Sequence, residues 1–428
     1  MSITNNKIAI IGLGYVGLPL AVEFGKKFKT IGFDINSNRI SDLKNNIDKT
    51  LEVSTTELSS VNKKSNHDSK GLFFTIKIED IKDCNIYIIT VPTPIDDNND
   101  PDLKPIFAAT NMVAAILKKG DIVIYESTVY PGCVEEDCVP LIENASNLKY
   151  NNDFFCGYSP ERINPGDKIN TLTKIKKITS GSTPVIAEKI NLLYQTIIQA
   201  GTHLAPSIKV AEAAKVIENA QRDLNIAFVN ELSKIFGQLD IDVNDVIEAA
   251  GTKWNFIKYK PGLVGGHCIG VDPYYLIHKA KKSGINAELI SKAREVNESM
   301  SKYIVEKIKT KIKENGNSFS KTCLILGITF KENCPDIRNT KVFNLYKDLI
   351  LEGFEVDIFD PNADHLEVKH EYGISLIKKI EKKYNTIIHA VAHEQFLTLD
   401  FSEIKAEKNS ILFDIKSVLN RRDTTIRL

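Results

Sequence analysis

The segment Lys7–Ile11 (KIAII), running straight into Gly12-Leu13-Gly14-Tyr15-Val16-Gly17, constrains this chain more than any other. A short apolar run of this kind reads as a buried strand, and the residues from Leu18 to Phe28 have helical spacing. The three glycines fit GxGxxG, which gains a mechanism only when it follows a strand and opens a helix, as here. Gly12 permits the tight turn, Gly14 lets a pyrophosphate approach the backbone, and Gly17 lets helix and strand pack closely. With Tyr15 and Val16 between them, they open a helix whose N–H groups and partial positive charge suit phosphates. Thr30–Asp34 (TIGFD) is predicted as the second strand and ends on Asp34, about 20 residues on, where a carboxylate accepts from ribose hydroxyls. Such a carboxylate repels a 2′-phosphate, so NAD is favoured over NADP, although Arg39 nearby weakens that preference.

The alternation continues. Asn85–Val91 and Asp121–Glu126 are strand candidates, with a helical stretch near Pro105–Lys118 between them. Leu51–Gly71 is polar and reads as a surface excursion, not core. From Ser207, a plausible N-cap after Pro206, apolar residues recur at helical spacing to about Leu239, predicting one long helix. Further helices are expected at Val243–Ala250 and Ile285–Lys313. The βα alternation returns with Thr322–Thr329, Glu355–Phe359, Asn385–Ala390 and Ile411–Ile415. The fold class is therefore α/β: a Rossmann-type parallel-sheet domain over 1–206, a helical, dimer-forming middle over 207–313, and a second Rossmann-like domain over 314–428.

Charge narrows the partners. Lys+Arg and Asp+Glu are both 55, which argues against nucleic acid or an anionic membrane as the main partner. The N-terminus lacks signal-peptide features, and no stretch is apolar enough to span a bilayer. The seven cysteines are odd in number, scattered and without CxxC spacing, which predicts reduced thiols of a cytoplasmic protein. Cys133 and Cys138 have no second ligand pair nearby, so no metal site is expected.

Three further places carry chemistry. Val91-Pro92-Thr93-Pro94 and Glu126-Ser127-Thr128 each follow a strand, at the sheet edge where ligands bind in this architecture. Between Gly262 and Asp272, four glycines surround Cys268, a backbone suited to exposing a thiol. Most cysteines are small core residues; the glycines, His267 and Asp272 favour a nucleophile here, with His267 read as a loop residue and not a base. On the long helix Lys215, Asn219 and Arg222 share a face at i, i+4 and i+7. A solvated polar stripe would look the same, but Ala213, Ala214, Val216 and Ile217 surround Lys215 with apolar groups. A lysine so placed would donate to a developing oxyanion, and desolvation would lower its pKa.

At these residues the sequence resembles the UDP-glucose/GDP-mannose dehydrogenase family. The motifs GLGYVGLP, VPTP, ESTVYPG, SPERINPG, AEAAKVIEN, GGHCIGVDP and GITFKENCPDIRN occur in order over essentially the whole chain. GYSPERINPGD, AGTKWNF and PGLVGGHCIGVDPYYL look most like the branch acting on UDP-N-acetylhexosamines. The UDP-glucose branch usually shows GGxCxxKD, whereas Gly270-Val271 precede Asp272 here.

The resemblance implies a four-electron oxidation of a sugar C6 hydroxyl with two NAD per sugar, for surface polysaccharide. It implies Cys268 as the thiohemiacetal- and thioester-forming nucleophile, with Lys215 and Asn219 as oxyanion donors. Asp272 and Thr128 would hold a water, and Glu161 would assist thioester hydrolysis. Thr93 and Thr128 would also face the cofactor. Arg162, Ile163, Arg222 and Gly262 match substrate-loop positions, and Lys331 and Arg338 match residues facing UDP. Some relatives carry a second acidic residue after Glu161, where Asn164-Pro165-Gly166 stands here. The family also implies a homodimer or larger homo-oligomer. UDP-N-acetylglucosamine is the favoured substrate; UDP-N-acetylgalactosamine, UDP-glucose, a two-electron dehydrogenase and a catalytically silent sensor are the alternatives.

Overall fold

The computed structural model describes residues 6–65, 70–163, 167, 169–316 and 321–428. They fall into two compact units: Met1–Glu218 with Tyr274–Ile285, and Asn219–Pro273 with Asn286–Leu428. The long helix Ile208–Gln238 passes from the first to the second. The Ser207 hydroxyl caps it, accepting from the Val210 N–H at 3.2 Å.

The first unit holds one sheet of eight strands: β1 (Lys7–Ile11), β2 (Lys29–Phe33), β3 (Gly71–Thr75), β4 (Ile86–Ile89), β5 (Ile122–Tyr125), β6 (Phe155–Tyr158), β7 (Lys177–Gly181) and β8 (Thr202–Leu204). Their order is β3-β2-β1-β4-β5-β6-β7-β8. Neighbours are parallel except β6 and β7, which run antiparallel. All four residues of β4 and of β5 are buried, because a parallel sheet is covered on both faces. That is why these strands read as continuous apolar runs.

Some expectations need correction. Leu51–Gly71 is not merely a surface excursion. Thr55–Val61 is a helix with a Ser54/Glu57 capping box, and its Leu58 and Val61 enter the core. With Val53, they are few and irregularly spaced apolar contacts in a polar stretch, too few to set a period; residues 66–69 of that stretch lie outside the described residues. The first helix, Gly17–Gly25, stops short of Phe28.

The second unit holds β9 (Thr322–Leu326), β10 (Glu355–Phe359), β11 (Thr386–His389), β12 (Ile411–Asp414) and β13 (Ile426–Arg427), all parallel, in the order β10-β9-β11-β12-β13. The expected single helix over 285–313 is two, Glu288–Glu298 and Met300–Glu314. They break at Ser299, whose hydroxyl donates back to the Val296 carbonyl at 2.6 Å. Asp272–Lys282 is a helix that the glycine-rich approach concealed. Among the described residues no helix is long and apolar enough to cross a membrane.

The glycine loop is sterically specific. A Cβ at Gly17 would lie 1.9 Å from the Gly12 carbonyl oxygen, whereas one at Gly14 would meet nothing within 4 Å. Gly17→Ala should therefore cost about 1–3 kcal/mol of stability, the scale of overpacking. Gly14→Ala should leave the Tm nearly unchanged. Thermal unfolding of the two variants checks the contrast.

Candidate active site

Parallel pairing sends the first unit's functional turns to the carboxyl edge of its sheet. Asp34 follows β2 and accepts the Leu13 N–H at 2.8 Å and the Asn36 N–H at 2.8 Å, which locks this carboxylate to the glycine loop. Arg39 donates to the Leu13 carbonyl at 2.9 Å and to Asp48 at 2.8 Å. Burial pushes the Asp48 carboxyl up, but hydrogen bonds from Thr50 and Val53 and the Arg39 charge more than offset it, so it stays ionised. Arg39 is thereby a brace already paired to an anion, poorly placed to receive a 2′-phosphate. The open space at Gly14 and the helix N-terminus beyond it fit a dinucleotide pyrophosphate.

The next turns are bonded to one another. The Thr90 hydroxyl donates to the Gly12 carbonyl at 2.6 Å, and the Ser127 hydroxyl donates to the Val91 carbonyl at 2.6 Å. Half-buried Thr93 gives its carbonyl to the Tyr275 hydroxyl at 2.9 Å. Thr128, also half-buried, follows Glu126 and Ser127.

Glu126 and Glu161 both grip the buried Lys177 ammonium, at 2.7 and 2.9 Å. The other oxygen of Glu161 accepts the N–H groups of Arg162 (2.6 Å) and Ile163 (2.7 Å). The Arg162 guanidinium pairs with Glu218 at 2.8 Å and donates to the Lys176 carbonyl at 2.8 Å. Asn164–Gly166, where a second acidic residue is replaced, lie outside the described residues.

On the long helix Lys215 and Asn219 are both buried, while Ile217 and Arg222 point outward and are exposed. The apolar setting of Lys215 thus comes from neighbours such as Val216, not from Ile217. One turn before Lys215, the buried Glu212 carboxylate accepts the Gly132 and Val134 N–H groups at 2.5 and 2.9 Å. It ties the helix to the loop that begins at Thr128.

In the second unit the Asn219 amide donates to the buried Asp272 carboxylate at 2.5 Å. The Asp272 N–H closes back onto the Cys268 carbonyl at 2.8 Å. Cys268 is half-buried, whereas the other six cysteines are buried, and none of the seven forms a disulfide. Burial pushes the Cys84 thiol up to about 12 and lifts Cys156 well above its ordinary value, which makes both inert. The Cys268 turn needs glycine: Gly266 has φ +84°, and a Cβ there would lie 2.8 Å from the Phe330 ring.

Gly262 is pinned on both backbone groups by the buried Asn230 carboxamide, at 2.7 and 3.0 Å. Arg338 forks onto Asp336 (2.9 and 2.6 Å) and donates to His267 Nδ1 at 3.2 Å. Burial raises the Asp336 carboxyl, but the Arg338 guanidinium more than reverses this and holds it below its ordinary value. His267 Nδ1, accepting from Arg338, serves as a loop contact. Half-buried Lys331 extends over the Phe330 ring at 5.7 Å. Among the described residues no group of three or more His, Cys, Asp or Glu side chains could hold a metal ion.

Sequence reasoning missed Lys177, Glu212, Tyr275 and Asn230 as parts of the site. Lys177 had no visible signal, since a lysine opening a strand is ordinarily solvated. Glu126 had one: a charged residue directly continuing the buried run IVIY.

The chain matches the UDP-glucose/GDP-mannose dehydrogenase family in its NAD binding domain over residues 6–198, its central domain over 209–299 and its UDP binding domain over 324–421. A UDP-N-acetyl-D-glucosamine 6-dehydrogenase of Salmonella typhi is 54% identical over 426 residues, covering 99% of this chain and 98% of that protein. The protein of the same name from Pseudomonas aeruginosa is 52% identical over 426 residues, covering 99% of each. The solved UDP-D-ManNAc dehydrogenase of Pyrococcus horikoshii aligns with a TM-score of 0.88 at 28% identity, covering 98% of both chains.

Burial pushes the Glu212 carboxyl from its ordinary 4.5 up to about 8, against the lowering effect of its two N–H donors. A carboxyl raised by folding stabilises the native state most when protonated, so its contribution is complete below pH 4.5 and lost by about pH 8. Glu212→Gln should flatten the fall in stability across that window. Urea midpoints of both proteins at several pH values test this.

Proposed function

The chain belongs to the UDP-glucose/GDP-mannose dehydrogenase family, and on that premise we propose that it oxidises the C6 hydroxyl of UDP-N-acetylglucosamine to the carboxylic acid in the cytoplasm, for surface-polysaccharide synthesis. The observation that carries this reading is the Asn219–Asp272 hydrogen bond, which within the second unit joins the long helix to the turn bearing Cys268. The sugar is supported by the two relatives so named at 54% and 52% identity and by Gly270-Val271 before Asp272. Chain segments 1–206, 207–313 and 314–428 would serve cofactor, catalysis with dimer formation, and UDP, respectively.

Gly12–Gly17, Asp34, Arg39 and Thr93 would hold NAD, which would supply the hydride acceptor for both oxidations. Lys215 donates to the oxygen on C6 as negative charge develops there. The Asn219 amide has two N–H donors; one serves Asp272, which leaves the other for the same oxyanion. Once the alcohol has become an aldehyde, the Cys268 thiolate adds to it, giving a thiohemiacetal, and loss of the second hydride leaves a thioester. Asp272 and Thr128 hold the water that attacks the thioester, and Glu161 assists by shaping the turn beside it. Water adds, the C–S bond breaks, and carboxylate, thiol and a proton leave. Arg162, Ile163, Arg222 and Gly262 border the sugar. Lys331 and Arg338 bring positive charge to the diphosphate. A homodimer would cover Phe228, Ile235 and Leu239, which are 55%, 48% and 60% exposed on the helical middle.

Assaying NADH release with a panel of UDP-sugars should give the highest kcat/KM for UDP-N-acetylglucosamine; preference for the galacto epimer or UDP-glucose would overturn the assignment. Lys215→Ala should lower turnover by at least about 100-fold, the scale of one lost oxyanion donor. Arg338→Ala should mainly raise KM for the nucleotide sugar, since a diphosphate clamp acts alike on ground and transition states.

A further inference from the structure

The reaction gives Glu161 a task but none to the buried Lys177 and Glu126 clustered with it. Lys177, Glu126 and Glu161 have side chains only 3%, 0% and 8% exposed, yet they carry one positive and two negative groups. The Tyr194 hydroxyl donates to the remaining oxygen of Glu126. Buried ions cost several kcal/mol each, and apolar residues of similar volume would often be neutral or stabilising there. Stability alone is thus a weak reason for the cluster.

Its location supplies a better one. Residues at the carboxyl edge ordinarily come from the ends of parallel strands. Lys177 instead begins β7, and only the antiparallel pairing of β7 with β6 (Tyr158 opposite Ser180) brings a strand's first residue to this edge. There its ammonium meets Glu126, which ends two residues before Thr128, and Glu161, whose carboxylate holds the Arg162 and Ile163 N–H groups. Lys176 adds its carbonyl to the Arg162 guanidinium.

We propose that Lys177 is a positioning residue for thioester hydrolysis: by binding Glu126 and Glu161 at once, it fixes the turn entering Thr128 against the turn Glu161–Ile163. The proposal rests on the roles given above to Thr128 and Glu161. Electrostatics support it. Burial pulls the Lys177 ammonium down, but the two carboxylates more than offset this, so it stays charged. Burial pushes Glu126 up to about 7, with the Lys177 charge lowering it and the neighbouring Glu161 raising it. The hydride steps draw on Lys215, Asn219 and Cys268, none of which Lys177 bonds.

Lys177→Met should therefore slow water attack on the thioester while leaving both oxidations intact. A misplacement of about 1 Å costs on the order of 100-fold, so kcat should fall about 10- to 100-fold and KM should fall with it, because kcat/KM is set by the steps before hydrolysis. The telling readout is rapid-quench intact mass with UDP-N-acetylglucosamine and NAD. The variant should show a burst of two NADH per subunit and accumulate the sugar-nucleotide acyl adduct, absent in Cys268→Ser. Lys177→Arg should restore turnover in part. Should Lys177→Met fold poorly, Glu126→Gln/Lys177→Met returns the cluster to its original net charge and should accumulate the same adduct. Unchanged turnover, or burst and turnover lost in proportion to thermal stability without adduct, would overturn the proposal. Glu161→Gln separates the two claims. If it accumulates adduct and Lys177→Met does not, Lys177 has no such role; if neither does, the reading of Glu161 itself fails.

Discussion

The polarity of the first sheet is the constraint from which its site follows. Because β1, β2, β4, β5 and β6 run parallel, the glycine loop, Asp34, Thr93, Thr128 and Glu161 all emerge at one edge. A lateral belt then fixes them to one another: Asp34 to Leu13, Thr90 to Gly12, Ser127 to Val91, and Glu126 through Lys177 to Glu161. Each link satisfies a backbone or charged group that the edge would otherwise leave to water. Preorganisation of this kind is what lets a site hold a nucleotide and a water without ordering them anew in each turnover.

The second unit works by a different economy. Its central turn is held by side-chain amides more than by strand ends. Asn230 clamps Gly262 by both backbone groups, Asn219 clamps Asp272, and the close approach of Gly266 to Phe330 shapes the turn that leaves Cys268 half-buried. Six other thiols are buried and unreactive, so accessibility, not mere presence of a thiol, singles out Cys268.

Much of this was legible in the sequence, for reasons that differ by residue. Doubly covered strands such as β4 and β5 must be apolar throughout, so their positions were plain. The glycine loop was plain because a Cβ at Gly17 would collide with Gly12, leaving no other residue to choose. Lys215 and Asn219 were visible from i, i+4 spacing, but the exposure of Arg222 three residues on was not, because periodicity gives a face and not where the core ends. The break at Ser299 was hidden because no glycine or proline marks it, and only the serine's bond back to Val296 accompanies the helix end. Lys177 was invisible because its meaning depends on β7 running against β6, a long-range fact no local pattern carries.

The proposed reaction depends on one covalent nucleophile, Cys268, carrying the sugar through two oxidations. The most direct test is the molar ratio of NADH formed to UDP-N-acetylglucosamine consumed, followed to completion with excess NAD. Two NADH per sugar, with free aldehyde never detected, is the predicted result. One NADH per sugar, with aldehyde released, would contradict it.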